Sequence, residues 1–177
     1  TTAGTFMLKN INPTPGLGEV IFGTMEFVEF NGFVYFTGND GANSGQNDEL
    51  WRTDGTTAGT ALFKDFYAFG GGGPGNFVNA GSYLFFTADN SNNGSEPWRT
   101  DGTLAGTVMI KDVFNLANVG SILGDVPTIY MNGYVYFVPV DVYDPANFNL
   151  IPPQSGYINA ELWRTDGTSA GTTKVKE

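Results

Sequence analysis

A motif that contains tryptophan, arginine and aspartate occurs three times in the chain, and side chains of these types can carry chemistry. Its carboxylates could act as general acids or bases, or could bind a metal ion. Its indole rings could form a flat surface on which a sugar ring stacks. The motif reads Glu-Leu-Trp-Arg-Thr-Asp-Gly-Thr and begins at Glu49, Glu96 and Glu161, with Pro for Leu in the second copy. The side chains concerned are Trp51, Trp98, Trp163, Arg52, Arg99, Arg164, Asp54, Asp101 and Asp166.

Composition excludes several classes of active site. The 177 residues include no cysteine and no histidine, so neither a disulfide framework nor a thiolate metal site can form. A nucleophile activated by histidine is excluded as well. The net charge is −10, and all basic residues except Lys174 recur at fixed places in the repeat, which leaves no basic patch for nucleic acid. No apolar run approaches the roughly 18–20 residues that span a bilayer, so we expect no membrane insertion.

Recurrence assigns the motif to the scaffold. Asp54 has an equivalent in every copy, where its carboxylate can accept hydrogen bonds from the amides of a tight turn. The tryptophans are expected to pack between sheets rather than to bind sugar. The repeated arginines and lysines are expected to pair with repeated acids such as Glu49 and Asp65. We therefore predict no enzyme activity, no catalytic residue and no cofactor-binding residue.

Each copy of the motif belongs to a predicted unit of four short strands. Asn31-Gly32 and Asn132-Gly133 are dipeptides typical of two-residue hairpins, and Asp-Gly-Thr-x-Ala-Gly is typical of a turn. The units cover residues 26–66, 76–113 and 126–177. The strands predicted for the third unit are Pro127–Met131, Tyr134–Val140, Ala160–Asp166 and Thr172–Lys176.

The second strand of each unit is apolar on both faces, as in Phe33-Val34-Tyr35-Phe36. A sheet that is apolar on both sides must be covered on both sides. Four-stranded sheets packed radially meet this need, so we predict an all-β fold of β-propeller blades. Residues 1–12 repeat the last strand of a unit alone and are predicted to form an extra N-terminal outer strand.

The three copies resemble the repeat of the bacterial ELWxxDGT family, and the resemblance covers nearly the whole chain. Repeats of this family look like propeller blades and occur in large, mostly secreted or surface proteins. The resemblance therefore implies an extracellular or cell-surface bacterial protein, and it implies little about activity. Because the sequence starts at Thr1 without an initiator methionine or a signal peptide, we expect a processed chain or an excerpt.

Three units are too few for a closed propeller, which typically has four or more blades. We therefore predict self-association, either as a ring of several chains or as a head-to-tail filament formed by β-strand addition. A competing interpretation is an excerpt of a longer propeller. An insertion at 141–159 is expected to contact its own unit or a partner. The predicted assembly residues are Phe6, Met7, Leu8, Tyr143 and Phe148.

Two other functions stay open from the sequence. The chain could be a glycan- or calcium-binding module of a larger surface protein, because its loops are rich in oxygen ligands, although no EF-hand spacing is present. The candidate calcium ligands are Asp40, Asp48 and Asp89. A glycosidase would need two carboxylates in one cleft, away from the repeated positions. The acids that cluster outside the motif are Asp125, Asp141 and Asp144.

Overall fold

The computed structural model describes residues 4–12, 26–41, 47–67, 70–113, 128–139 and 161–176. These ranges form three antiparallel sheets, each with four strands in sequence order. Sheet 1 comprises β1 (Val28–Phe30), β2 (Phe33–Asn39), β3 (Asp48–Thr53) and β4 (Ala61–Lys64). Sheet 2 comprises β5 (Gly75–Asn79), β6 (Leu84–Asp89), β7 (Ser95–Thr100) and β8 (Val108–Met109). Sheet 3 comprises β9 (Ile129–Met131), β10 (Tyr134–Phe137), β11 (Trp163–Thr165) and β12 (Thr173–Lys174).

The predicted all-β class is therefore confirmed, and no α-helix occurs in the described ranges. Nor do those ranges contain a helix that could cross a membrane.

Asn-Gly turns connect the first two strands of sheets 1 and 3, as predicted. Asn31 and Gly32 have φ angles of 51° and 78°, and Asn132 and Gly133 have φ angles of 52° and 85°. Positive φ at both central positions matches the right-handed twist of the flanking strands, and asparagine and glycine tolerate it best. Phe30 and Phe33 consequently face each other across the first turn.

A network of side-chain hydrogen bonds closes the turn between the third and fourth strands. In the first copy Asp54 Oδ1 accepts bonds from the Thr56 amide at 2.9 Å and the Thr56 hydroxyl at 2.7 Å. The Thr53 and Thr60 hydroxyl oxygens lie 2.7 Å apart across the turn. The second and third copies repeat these contacts with the same geometry. The turn therefore satisfies its own polar groups, as the sequence pattern indicated.

Sheet 2 lies between the other two sheets and shares a hydrophobic core with each. Its tryptophan side packs on sheet 1, and its opposite side packs on the tryptophan side of sheet 3. The buried side chains of the first core are Phe30, Tyr35, Leu50, Phe63, Leu84, Phe86, Ala88 and Trp98. Those of the second core are Ala80, Tyr83, Phe85, Ile110, Val135, Phe137 and Trp163. Burial on both sides of sheet 2 explains why its strands carry apolar residues on both faces.

The first strands of successive sheets, β1, β5 and β9, lie next to one another. The Asn79 side-chain amide donates to the Glu29 carbonyl at 2.8 Å, and the Phe77 amide donates to Glu26 Oε2 at 2.9 Å. Successive sheets are therefore joined by polar contacts at this edge as well as by their apolar cores.

The last strands are shorter than the sequence predicts. In sheet 3, β11 runs from Trp163 to Thr165 and β12 from Thr173 to Lys174, and the turn between them is closed by side-chain hydrogen bonds such as that between the Thr165 and Thr172 hydroxyls. Pro97 is accommodated within β7, where its carbonyl accepts a bond from the Ile110 amide at 2.8 Å. The described N-terminal residues, 4–12, are not assigned to a sheet, so the predicted extra strand is not formed.

The spacing that recurs in each copy of the turn places a glycine against the carboxylate of its aspartate. We expect alanine at this glycine to be destabilising. A Cβ added at Gly59 would lie 2.0 Å from Asp54 Oδ1. Gly59→Ala should therefore lower the free energy of unfolding by about 1–3 kcal/mol, measured by denaturant titration. Gly75→Ala is the control, since an added Cβ there meets no atom within 4 Å. Equal stability of the two variants would contradict this account of the turn.

Candidate functional site

The glutamate that opens the motif is buried in sheet 1 and holds the connection to sheet 2. Glu49 Oε2 accepts a hydrogen bond from the Phe66 amide at 2.8 Å, and Oε1 accepts one from the Gly72 amide at 3.0 Å. Burial raises the pKa of Glu49 to about 7, and the amide bonds only partly oppose this rise. Glu96 repeats the arrangement in sheet 2, where it accepts a bond from the Val113 amide at 2.9 Å.

The glycine-rich connection passes close to both sheets that it joins. An added Cβ at Gly71 would lie 2.5 Å from the Asp48 nitrogen, and one at Gly72 would lie 2.5 Å from Phe66 Cβ. The Gly73 amide donates to the Asp48 carbonyl at 2.9 Å, and the Asp89 amide donates to the Gly72 carbonyl at 2.8 Å. At Gly71 and Gly72 glycine is therefore required by close approach of the backbone.

Arg52, the repeated arginine of sheet 1, forms no ion pair with an acid in the described part of the chain, which differs from the prediction for this residue. Arg52 lies over the Phe33 and Phe63 rings at 4.3 and 4.5 Å, and its Nη1 donates to the Gly102 carbonyl of sheet 2 at 3.0 Å. Its guanidinium therefore combines a cation–π contact with a hydrogen bond to the next sheet. Glu49, its expected partner, accepts amide hydrogen bonds instead.

The repeated lysines also contact the neighbouring sheet, where they donate hydrogen bonds to backbone carbonyls and lie near aromatic rings. Lys9 Nζ donates to the Thr60 carbonyl at 2.6 Å, and Lys111 Nζ donates to the Thr172 carbonyl at 2.9 Å while lying 5.6 Å from the centroid of the Trp163 ring. Among the described residues, the only ion pair joins Lys174 to Glu161.

Trp98 lies between sheets 1 and 2 and Trp163 between sheets 2 and 3, whereas Trp51 lies on the side of sheet 1 that faces away from sheet 2. Trp98 meets Phe66 edge-on with ring centroids 5.0 Å apart, and its Nε1 donates to the Ala88 carbonyl at 3.0 Å. Trp51, Trp98 and Trp163 are all buried, so their rings do not form an exposed platform for sugar stacking.

The motif aspartates stay at the turns. Hydrogen bonds from the threonine two residues later, first from its side chain and then from its amide, lower the pKa of Asp54, Asp101 and Asp166. A lowered pKa keeps a carboxylate ionised and makes it a poor general acid at neutral pH.

The candidate calcium ligands do not converge on one another. Asp48 Oδ1 accepts from Asn39 Nδ2 at 3.0 Å, and Asp40 Oδ1 accepts from Asn47 Nδ2 at 3.1 Å. Asp89 Oδ1 accepts from the amide of Ser91 in its own loop. No group of three or more acidic side chains that could hold a metal ion occurs in the described part of the chain. The remaining candidates lie outside that part, namely Asp125, Asp141, Tyr143, Asp144 and Phe148.

The two outer sheets expose different faces. We use "forward face" for the side that carries Phe30, Tyr35, Leu50 and Phe63 in sheet 1, and that sheet 2 covers. The register of the strands places Met131, Tyr136, Leu162 and Val175 on the forward face of sheet 3. Leu162 is 47 % exposed, whereas its equivalent Leu50 is 0 % exposed. The forward face of sheet 3 is thus an apolar surface that no described residue covers.

Comparison of the chain with protein-family models, with curated proteins and with solved structures finds no match.

The buried Glu49 should make stability depend on pH between its unfolded and folded pKa values. Because its pKa rises from 4.5 to about 7 on folding, the folded state binds its proton more tightly. The free energy of unfolding should therefore fall as the pH rises through this window, by roughly 1–3 kcal/mol. The lowered pKa values of the motif aspartates act in the opposite sense and at lower pH.

Glu49→Gln tests this dependence, since glutamine cannot ionise. Denaturant titrations at several pH values should give a flatter profile than the wild-type protein over the same window. Glu161→Gln is the matched control, because Glu161 occupies the same position of the motif with its side chain 41 % exposed, and the change in slope should be larger for Glu49→Gln than for this control. A slope unchanged by Glu49→Gln would show that another group is responsible.

Proposed function

We propose that the chain is a non-enzymatic structural and interaction module whose sheets are blades of a β-propeller-type assembly and which binds further copies of itself. The observation that carries the proposal is the open forward face of sheet 3. The same face of sheet 1 is the one that sheet 2 covers. This face has the chemistry of a face that receives a following sheet, and no described residue covers it, so it is an interaction surface suited to another tryptophan face.

Corresponding positions of the two forward faces differ strongly in exposure. Met131 is 50 % exposed where Phe30 is 1 % exposed, and Val175 is 44 % exposed where Phe63 is 8 % exposed. Covering side chains of this kind stabilises by roughly 25 cal/mol per Å2 of apolar area removed from water. The apolar area available on this face therefore favours docking of a further sheet.

Arg164 of sheet 3 also lacks, among the described residues, the hydrogen-bond partner that its equivalent in sheet 1, Arg52, has. Arg164 lies over the Tyr134 ring at 4.5 Å, as Arg52 lies over Phe33. Arg52 Nη1 additionally donates to a carbonyl of the next sheet, whereas Arg164 makes no such bond to a described residue and its Nε is buried without a hydrogen-bond partner. A following sheet would supply a turn carbonyl at this place, and that bond would fix the register of docking.

The adjacent first strands β1, β5 and β9 support the propeller arrangement, since sheets of a propeller meet at their first strands around one axis. Several copies continuing this arrangement would form either a closed ring or an open head-to-tail filament. Which one forms depends on whether the rotation between successive sheets closes. The resemblance of the motif to repeats of secreted and surface proteins supports a role outside the cell.

Replacing a forward-face residue of sheet 3 by an acid should abolish self-association. Leu162→Asp places an unpaired charge in the proposed interface, and the apparent association constant should fall by more than about tenfold. Sedimentation velocity across the micromolar range measures the association, and electron microscopy of the wild type distinguishes rings from filaments.

Leu104→Asp is the control for added charge. Leu104 is also an exposed leucine, but it lies in the turn between β7 and β8, away from the forward face. The control variant should associate as the wild type does. A monomeric wild-type protein at all concentrations, or equal association of the two variants, would argue against the proposal.

A further inference from the structure

The N-terminal segment, which we define as Thr5–Asn12, contacts sheet 1 as the end of a preceding sheet would. Lys9 Nζ donates to the Thr60 carbonyl of sheet 1 at 2.6 Å. Lys111, at the end of sheet 2, donates in the same way to the Thr172 carbonyl of sheet 3 at 2.9 Å. Thr60 and Thr172 hold the same position of the repeat, so Lys9 stands to sheet 1 as Lys111 stands to sheet 3.

The residues two places after Lys9 and Lys64 are Ile11 and Phe66, and each lies beside the tryptophan of the sheet that follows it. An added Cβ at Gly38 would lie 2.7 Å from Trp51 Cδ1 and 3.0 Å from Ile11 Cδ1, so Ile11 reaches sheet 1 beside its tryptophan. Phe66 packs edge-on against Trp98 of the next sheet, at 5.0 Å between ring centroids. The N-terminal segment therefore makes contacts that belong to the fourth strand of a sheet and the connection after it.

Yet the N-terminal segment is not itself part of a sheet. Phe6 and Met7 are 79 % and 74 % exposed, although their counterparts in sheets 1 and 2 lie within strands. The counterparts of Met7 are Leu62 and Met109, which face Trp51 and Trp98 from the neighbouring strand. Met7 thus has the side chain expected opposite a tryptophan, and no strand within the described ranges pairs with it.

Sheet 3 shows the complementary irregularity at its fourth strand. There Lys174 faces Trp163, where the other two sheets have leucine and methionine. Strand β12 contains two residues, and Lys174 forms an exposed ion pair with Glu161. An ion pair of this kind contributes at most about 1 kcal/mol, so it adds little to the turn and backbone hydrogen bonds that join β12 to β11.

We propose that the N-terminal segment of one copy displaces β12 of another copy and pairs with its β11. This inference rests on the self-association proposed above. Met7 then faces Trp163, and Leu8 takes the place of Val175. The Leu8 amide donates to the Leu162 carbonyl, as the Val175 amide does at 2.8 Å in the free chain. The partner is a second copy of this chain.

The exchange places one strand in contact with both copies. Its backbone completes sheet 3 of the accepting copy, while its Lys9 keeps the bond to Thr60 of its own sheet 1. The apolar side chains Phe6 and Met7 become partly covered, as are their counterparts Val108 and Leu62, which are 38 % and 40 % exposed, and Lys174 leaves its position opposite Trp163. Sheet 3 of one copy is thereby positioned against sheet 1 of the next, in the order in which sheets follow one another within the chain.

Crosslinking between two different single-cysteine chains tests the register. The chain has no cysteine of its own, so the introduced thiols react alone. Since Arg164 faces Thr173 and Phe6 replaces Thr173 in the exchange, Phe6→Cys in one chain should crosslink to Arg164→Cys in the other. A short bifunctional crosslinker that reacts with thiols suffices, because directly opposed Cβ atoms lie about 4.5–5.5 Å apart. Ile129→Cys, on the far edge of the same sheet, is the matched control and should not crosslink.

A second variant tests the exchange without altering sheet 3. Met7→Lys gives the N-terminal segment the residue that β12 already has, and it should weaken association by at least about tenfold. Leu104→Lys, at an exposed leucine of the turn after β7, controls for the added charge and should leave association unchanged. The unfolding midpoint of both variants should equal that of the wild type, because both side chains are exposed.

The outcomes separate this inference from the proposed function. If the wild type associates and responds to Leu162→Asp, while Met7→Lys has no effect and the cysteines do not crosslink, the copies dock without exchanging a strand and the inference is overturned. Crosslinking of Phe6→Cys to Ile129→Cys as strongly as to Arg164→Cys also overturns it. A wild type that never associates overturns both.

Discussion

Every sheet of this protein depends on being covered on both of its faces. Strands such as β2 and β6 carry apolar side chains on each side, so a single sheet in water would leave one apolar face exposed whichever way it turned. Sheet 2 meets the requirement because sheets 1 and 3 flank it. The same requirement makes the two outer sheets incomplete units. The N-terminal segment lies on the tryptophan side of sheet 1, and no described residue covers the forward face of sheet 3.

The acids of the motif show how position decides what a carboxylate does. Asp54 is exposed and bonds within its own turn, which lowers its pKa and leaves it ionised. Glu49, five residues earlier, is buried and receives the amides of a connection that lies 17 and 23 residues away along the chain. Its pKa rises because the loss of water around the charge outweighs those bonds. The same motif therefore closes a local turn through its aspartate and holds the connection between two sheets through its glutamate.

Much of this fold could be predicted from the sequence, because hairpin dipeptides and apolar strands are local signals. The predicted end of the first strand of the third unit at Met131 and the predicted start of its second strand at Tyr134 agree with the structure. The partners of Glu49 and Arg52 could not be found in this way. A sequence pattern shows opposite charges at a repeating distance, which favours an ion pair, but it does not show that Arg52 is enclosed by Phe33 and Phe63. The length of β12 was also overestimated, since ladder pairing depends on the neighbouring strand.

The open end of the stack carries features that restrain uncontrolled pairing. Lys174 on the edge strand opposes addition of any apolar strand, because its charge would have to leave water. The net charge of −10 adds repulsion between copies at low ionic strength. A strand that replaces β12, rather than adding beside it, removes Lys174 from the junction and leaves the number of strands in the sheet unchanged. Replacement therefore avoids the penalty that addition would meet, and it limits pairing to a segment with an apolar residue opposite Trp163 and a lysine two places later.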